Sequence, residues 1–295
     1  MDRVETEIQR LIDEVGYDEV SRLFATLSGG KRLRAKLILK IAGEHQDAPL
    51  LAAIVELIHA ASLLHDDVID DADMRRGKPS VNATDGSKTA VMLGDILYSK
   101  AFTELVKFDT LVAQTIAASV TALSKGEMMD VKMAESFNAD EQAYLDMLYL
   151  KTATLIEAAA KAAALLAKKN AAKHALYGKN LGLSFQIIDD ILDITSDEAT
   201  LGKPAMNDFV EGKCTLPYIY LHHALDAQDK HRLESLHGKK LQEVDLQWIK
   251  QNMAQYKTIQ KSFELAKQLS DEAKEAMAED AELVAILDTM IQRSF

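Results

Sequence analysis

An apolar helical run that ends in a dense acidic cluster constrains this chain more than any other feature. Residues 50 to 71 read LLAAIVELIHAASLLHDDVIDD, and Asp66, Asp67, Asp70, Asp71 and Asp73 then fall within eight residues. Residues four apart on a helix share a face, so Asp66 and Asp70 are expected to point together, as are Asp67 and Asp71. Like charges stacked in this way repel, so the pattern calls for a positive partner. Magnesium suits such a site, because it takes hard oxygen ligands from one or two carboxylates and completes its shell with substrate phosphates. His59, seven residues before Asp66, falls on roughly the same face, and Arg75 and Arg76 follow the cluster.

A second copy appears much later. FQIIDDILDIT, residues 185 to 195, sets Asp189 and Asp193 one turn apart with Asp190 beside them. One D-D-x-x-D on a helix reads as a solvated acidic face. Two, each embedded among Ile and Leu, read as halves of a metal and phosphate site. An EF-hand fails here, since a loop begun at Asp66 puts Gly77 where the bidentate Glu belongs.

The rest of the chain predicts helix. Four prolines in 295 residues, abundant Ala and Leu and few β-branched runs favour it. Helical patterns cover residues 3–15, 18–27, 50–71, 88–107, 111–134, 140–168 and 171–194, with a further helix starting within 28–43 and amphipathic helices from 218 onward. No strand alternation stands out and no linker interrupts the order, so a single domain over 1–295 is expected. In SGGKRLRAKLILKIAG, Gly29 and Gly30 break one helix and Lys31, Arg32 and Arg34 crowd the start of the next. Exposed amides at a helix start, with cations beside them, suit a phosphate or diphosphate. Lys151 and Thr152 interrupt an Ala-rich surface. Residues 196 to 217 form the longest non-helical stretch, a candidate mobile flap carrying Lys203 and Lys213. Trp248 reads as a core or interface residue.

Composition narrows the partners. A net charge of −12 argues against nucleic-acid binding. The lone Cys214 leaves no partner for an internal disulfide and excludes a Cys-based zinc site, which fits a reducing, cytoplasmic setting. No run reaches the roughly 18 uninterrupted apolar residues of a membrane helix, and the charged N-terminus lacks the apolar core of a signal peptide.

GGKRLR, IHAASLLHDDVIDDADMRRGKP, KTA, FQIIDDILD and GK…KCTLP, in this order and spacing, resemble the all-trans polyprenyl diphosphate synthases, among them the catalytic subunits of hexaprenyl and heptaprenyl synthases. The resemblance covers roughly Gly29 to Pro217. It implies an all-α domain of long, mostly antiparallel helices around a deep cavity, working as a homodimer or beside a small subunit. It also implies condensation of an allylic diphosphate with isopentenyl diphosphate, assisted by about three Mg²⁺ ions. By the same resemblance Asp66, Asp70 and Asp189 are metal ligands, with Asp67, Asp190 and Asp193 in support. Lys31, Arg34, His59 and Arg76 would take the isopentenyl diphosphate, and Arg75, Lys151, Thr152, Gln186 and Lys203 the allylic one. Ala35 stands where the family often has proline.

Product length follows from the positions four and five before Asp66, where bulky residues stop growth in the family. Here they are the small Ser62 and Ala61. A product longer than C20, in the range C25 to C40, is expected. Three rivals are weighed beside this reading. A class I terpene cyclase would not need Lys31, Arg34 and Arg76. A non-catalytic subunit would not need intact aspartate motifs. A helical di-metal oxidase would require Glu-x-x-His pairs, which the chain lacks.

Overall fold

The computed structural model describes residues 1–27, 30–75, 77–195 and 206–291. Arg76 and Lys203 therefore lie outside the described residues, as do Gly29 and the first part of the expected flap. The chain divides into two compact units. One comprises Met1–Thr121 with Leu155–Ala175, the other Ala122–Thr154 with Leu176–Phe295.

The first unit is built on one helix. Helices α1 (Asp2–Asp13), α2 (Asp18–Thr26) and α3 (Leu33–Ala42) precede α4 (Ala48–Ile69), and α5 (Val81–Asp85) and α6 (Ser87–Leu105) follow it. Leu51, Ala52, Ala53, Ile54, Val55, Leu57 and Ile58 are all fully buried, so α4 is covered on every side. A helix that is apolar all round satisfies itself only in such a position. α1, α3 and α6 pack against it. Each fully buried Leu or Ile contributes roughly 1.5–3 kcal/mol of apolar transfer, which makes α4 the main support of this unit. Pro49 occupies its first turn, where no intrahelical N–H is missed.

α4 also qualifies the membrane expectation. By length and composition it could cross a bilayer, but 72% of its most apolar 18 residues are buried within the fold, as in a core helix. Glu56 and His59 interrupt the apolar run.

The second unit takes the C-terminal end of α7 (Thr110–Ala134), α8 (Glu141–Leu148) and most of α10 (Ala171–Thr195). To these it adds α11 (Asn207–Val210), α12 (Leu216–Ala224), α13 (Ala227–Leu236), α14 (Glu243–Tyr256), α15 (Thr258–Ala276) and α16 (Ala281–Ile291). Between α8 and α9 (Thr154–Leu166) the chain makes a π-helical turn, Tyr149–Ala153. The expected single helix over 140–168 is thus broken in its middle. Two core clusters hold this unit. One joins Tyr144, Leu148, Ile187, Ile191, Leu216 and Ile219, and the other joins Ile194, Phe209, Tyr218, Ile249 and Met253. Trp248 packs at the edge of the second, with Arg232 stacked 4.3 Å from its ring, in agreement with a packing role.

The only strands among the described residues are two short ones, Met74–Arg75 and Lys78–Pro79, pairing antiparallel as a hairpin just after α4. Two-residue strands are too short to show alternation, which is why the sequence reading found none.

Candidate active site

In the first unit, α4 ends sooner than the aspartate pattern suggests. Its last residue is Ile69, Asp70 is the cap and Asp71 adopts a left-handed φ of 48°. Asp70 N–H still donates to the Asp66 carbonyl at 2.8 Å, so Asp66 and Asp70 remain one turn apart. Asp71 does not continue the face of Asp67, which corrects the expected second stack. Asp67 is 3% exposed and accepts from Arg75 Nε at 2.5 Å, so it ties α4 to the hairpin. Burial nevertheless raises its pKa, against the opposing pull of Arg75. Arg75 thus neutralises part of the acidic cluster. The loop closes with Ala72 N–H to Asp67 O at 2.9 Å and Ser80 Oγ to Ala72 O at 2.6 Å.

Lys31 is exposed and Arg34 half-buried at the start of α3. The amide expected to be exposed there is in part occupied, because Ala35 N–H donates to Glu56 Oε1 at 3.0 Å. His59 is half-buried on α4, and its carbonyl accepts from Ser62 Oγ at 2.9 Å. Ser62 and Ala61 are both buried.

The second unit gathers its residues around a cavity of about 140 Å³, whose lining includes Asp130, Tyr144, Lys151, Thr152, Gln186, Asp190, Asp208 and Lys213. Thr152 of KTA and Gln186 and Asp190 of FQIIDDILD form one chain of hydrogen bonds. Thr152 Oγ1 donates to Gln186 Oε1 at 3.3 Å, and Gln186 Nε2 donates to Asp190 Oδ1 at 3.0 Å. Tyr144 OH donates to the other Asp190 oxygen. Burial, reinforced by the nearby Asp208 carboxylate, pushes the Asp190 pKa up to about 8. Asp189, its neighbour, is exposed. Asp193 is buried and turned to a different task. Its carboxylate accepts from Asp208 N–H at 3.2 Å and its carbonyl from Met206 N–H at 2.8 Å.

Lys151 stands in the π-helical turn, 2.9 Å from Glu127 and 2.6 Å from Asp130. These partners hold its pKa above the ordinary lysine value against the opposing effect of burial. Such turns recur at functional sites because the extra residue re-aims a side chain. Two glycines make room for this one. A Cβ on Gly126 of α7 would lie 2.3 Å from the Lys151 nitrogen, and one on Gly182 of α10 would lie 2.6 Å from Ala153 Cα. Both obstacles are backbone, so Gly126→Ala is expected to lower stability by about 1–3 kcal/mol or more, read as a fall in melting temperature. A variant melting like the parent would show that the turn can shift aside.

The described part of the expected flap is anchored. Phe209 is fully buried, His237 Nε2 lies 2.6 Å from the Gly212 carbonyl, and Gly238 N–H donates to Phe209 O at 3.1 Å. Lys213, paired with Glu211 at 3.0 Å, thus sits in a fixed segment.

The model of the polyprenyl synthetase family matches residues 18–256, most of the chain. The chain belongs to the polyprenyl synthetase family. It is therefore a prenyltransferase of isoprenoid biosynthesis, with that family's all-α fold. The short-chain isoprenyl diphosphate synthase of Methanothermobacter thermautotrophicus is 39% identical over 223 residues, 72% of this chain and 69% of that protein. The octaprenyl pyrophosphate synthase of Helicobacter pylori superposes with a TM-score of 0.92 at 43% identity, over 99% of this chain and 96% of that one. A polyprenyl synthase from Caulobacter crescentus, complexed with calcium and isoprenyl diphosphate, gives 0.86 at 30% identity, over 100% and 98%.

Three residues that line this polyprenyl synthetase's cavity, Asp130, Tyr144 and Asp208, and Glu127 beside Lys151, belong to none of the spaced motifs. Glu127 and Asp130 were detectable as an i, i+3 acidic pair beside a mid-helix glycine, in KGEMMD. Tyr144 and Asp208 carry no local signal, since what marks them is contact with Asp190 across a fold.

Proposed function

We propose that this polyprenyl synthetase condenses an allylic diphosphate with isopentenyl diphosphate, head to tail, to give an all-trans polyprenyl diphosphate longer than C20, between C25 and C40. The observation that carries the reading is the second unit's cavity. It brings Lys151, Thr152, Gln186 and Lys213 together beside the second aspartate motif, where a diphosphate needs cations and donors.

The donor set fits magnesium. Among the described residues no three or more His, Cys, Asp or Glu side chains form a ready metal cage. The carboxylates of half-buried Asp66 and of exposed Asp70 and Asp189, all hard oxygen donors, suit an ion completed by phosphate and water. Asp66 and Asp70 in the first unit, with Asp67 in support, and Asp189 in the second, with Asp190 in support, would each hold Mg²⁺, about three ions in all. When bound, the metal draws charge from the leaving diphosphate.

The chain's own residues do the rest. Lys151, Thr152, Gln186 and Lys213 hold the allylic diphosphate, and cationic groups here favour its departure as the C–O bond breaks. Lys31, Arg34, His59 and Arg76 hold the isopentenyl diphosphate, whose alkene attacks the allylic carbon. A proton then leaves to the released diphosphate, and the product is five carbons longer. No side-chain nucleophile is required. Burial pushes the Cys214 thiol up to about 12, which suits a residue with no such role.

Small residues at Ala61 and Ser62 support the longer product. Ser62→Phe is expected to shorten it toward C15 or C20, and an unchanged ladder on chromatography would remove Ser62 from the path of growth. We further propose that both units act as one catalytic domain, since the family match spans them. We place it in the cytoplasm, as a homodimer or beside a small subunit. The deciding assay incubates the purified chain with Mg²⁺, farnesyl diphosphate and labelled isopentenyl diphosphate. A ladder ending between C25 and C40 supports the whole proposal. Diphosphate release without use of isopentenyl diphosphate overturns it in favour of a cyclase.

A further inference from the structure

Glu56 lies in the middle of α4, only 4% exposed, and its carboxylate faces the start of α3. It accepts from Ala35 N–H at 3.0 Å and from Arg32 Nη1 at 3.2 Å. Arg32 continues the chain of charges, donating through Nε to Glu5 at 3.0 Å and through Nη2 at 3.2 Å. A carboxylate this deep stands only when paired and hydrogen-bonded, and here both partners come from one short segment.

That segment is unusual in its backbone. Arg32 caps α3 with φ 50° and ψ 42°, a left-handed conformation that side-chain-bearing residues rarely adopt. Lys31 precedes it and Arg34 follows two residues later, so the strained residue lies between the two cations assigned to isopentenyl diphosphate. The first N–H groups of a helix have no partner within it. Glu56 takes one of them, the Ala35 amide, and thereby fixes where α3 begins. Glu56 also lies one turn from His59 on α4. A single side chain thus links the Lys31–Arg34 segment to the helix that carries His59 and Asp66.

We propose that Glu56 is a positioning residue for the isopentenyl diphosphate subsite. Through Arg32 and the Ala35 amide it holds Lys31 and Arg34 in register with His59, without touching substrate itself. The inference rests on the functional reading above. It assigns Arg32 to the anchor, not to the diphosphate. A bare carboxylate beside an anion site would repel the ligand, and Arg32 offsets that charge.

The test compares Glu56→Gln, Arg32→Gln and the double variant in steady state, because either change breaks the Arg32–Glu56 ion pair. Each single variant is expected to raise KM for isopentenyl diphosphate about ten-fold or more, with KM for the allylic substrate and kcat little changed. The double variant is expected to be no worse than the poorer single one, because both changes break one link. A merely structural role would alter both KM values or the melting temperature without this split. If Glu56→Gln does not fold, Arg32→Gln carries the test alone. Unchanged or lower KM for isopentenyl diphosphate in folded variants of an active enzyme overturns the inference. A wild-type enzyme that ignores isopentenyl diphosphate overturns the functional reading and the inference with it.

Discussion

Asp66→Ala is expected to reduce turnover by at least about 10³-fold while leaving the helical circular-dichroism signal intact. The size follows from what is lost. Ionisation of an allylic diphosphate separates a carbon cation from a polyanion, and electrostatic stabilisation of the leaving group is the main aid available. Asp66 and Asp70 are one turn apart at the end of α4, so under the proposed metal site removing one leaves the other without its partner ligand. The fold should survive, because Asp66 is half-buried on the last turn, whereas Leu51 to Ile58 further back supply the fully buried surface. Near-normal turnover at saturating Mg²⁺ would remove Asp66 from the metal site. Asp67→Ala should behave differently, lowering stability first, since it strips Arg75 of its buried partner.

Lys151→Met is expected to damage both activity and stability. Glu127 and Asp130 are each 6% exposed, and both depend on this ammonium. Breaking a buried pair from one side costs about 3–5 kcal/mol. In a chain of this size that corresponds to a fall in melting temperature of roughly 5–15 °C. The triple variant Lys151→Met, Glu127→Gln, Asp130→Asn should recover most of the stability, because no buried charge is stranded, and none of the activity. Recovery of activity in the triple variant would show that Lys151 serves only its carboxylate neighbours. The sign of the pH effect is fixed as well. A lysine whose folded pKa is raised contributes fully below its ordinary value of about 10.4 and is lost only above the folded one. Any loss of activity between about pH 6 and 9 therefore has another origin, and a pH profile of Lys151→Arg should keep the wild-type shape.

What the sequence by itself determined is the part written in short-range patterns. Helix content follows from Ala and Leu richness with scarce proline. The stacking of Asp66 on Asp70 needs only the 3.6-residue period, and the grouping of cations at Lys31 and Arg34 needs only adjacency. The resemblance of the spaced motifs reached the family and the reaction class, which the match over residues 18–256 then established. Burial, backbone exceptions and long-range partners were decided by tertiary structure. Asp189 and Asp190 are neighbours in sequence, yet one is exposed and the other sits beneath Tyr144 with its pKa raised, because helix rotation puts them on different faces. Lys151 looked like an interruption of an Ala-rich helix. Only the packing of Gly126 and Gly182 against a π-helical turn aims it at Glu127 and Asp130. The segment carrying Lys213 read as a flap from its composition, but contacts from Asp193, His237 and Gly238 hold it in place. Local periodicity tells which residues can share a face. Which face is buried, and against what, depends on partners tens of residues away that no local pattern encodes.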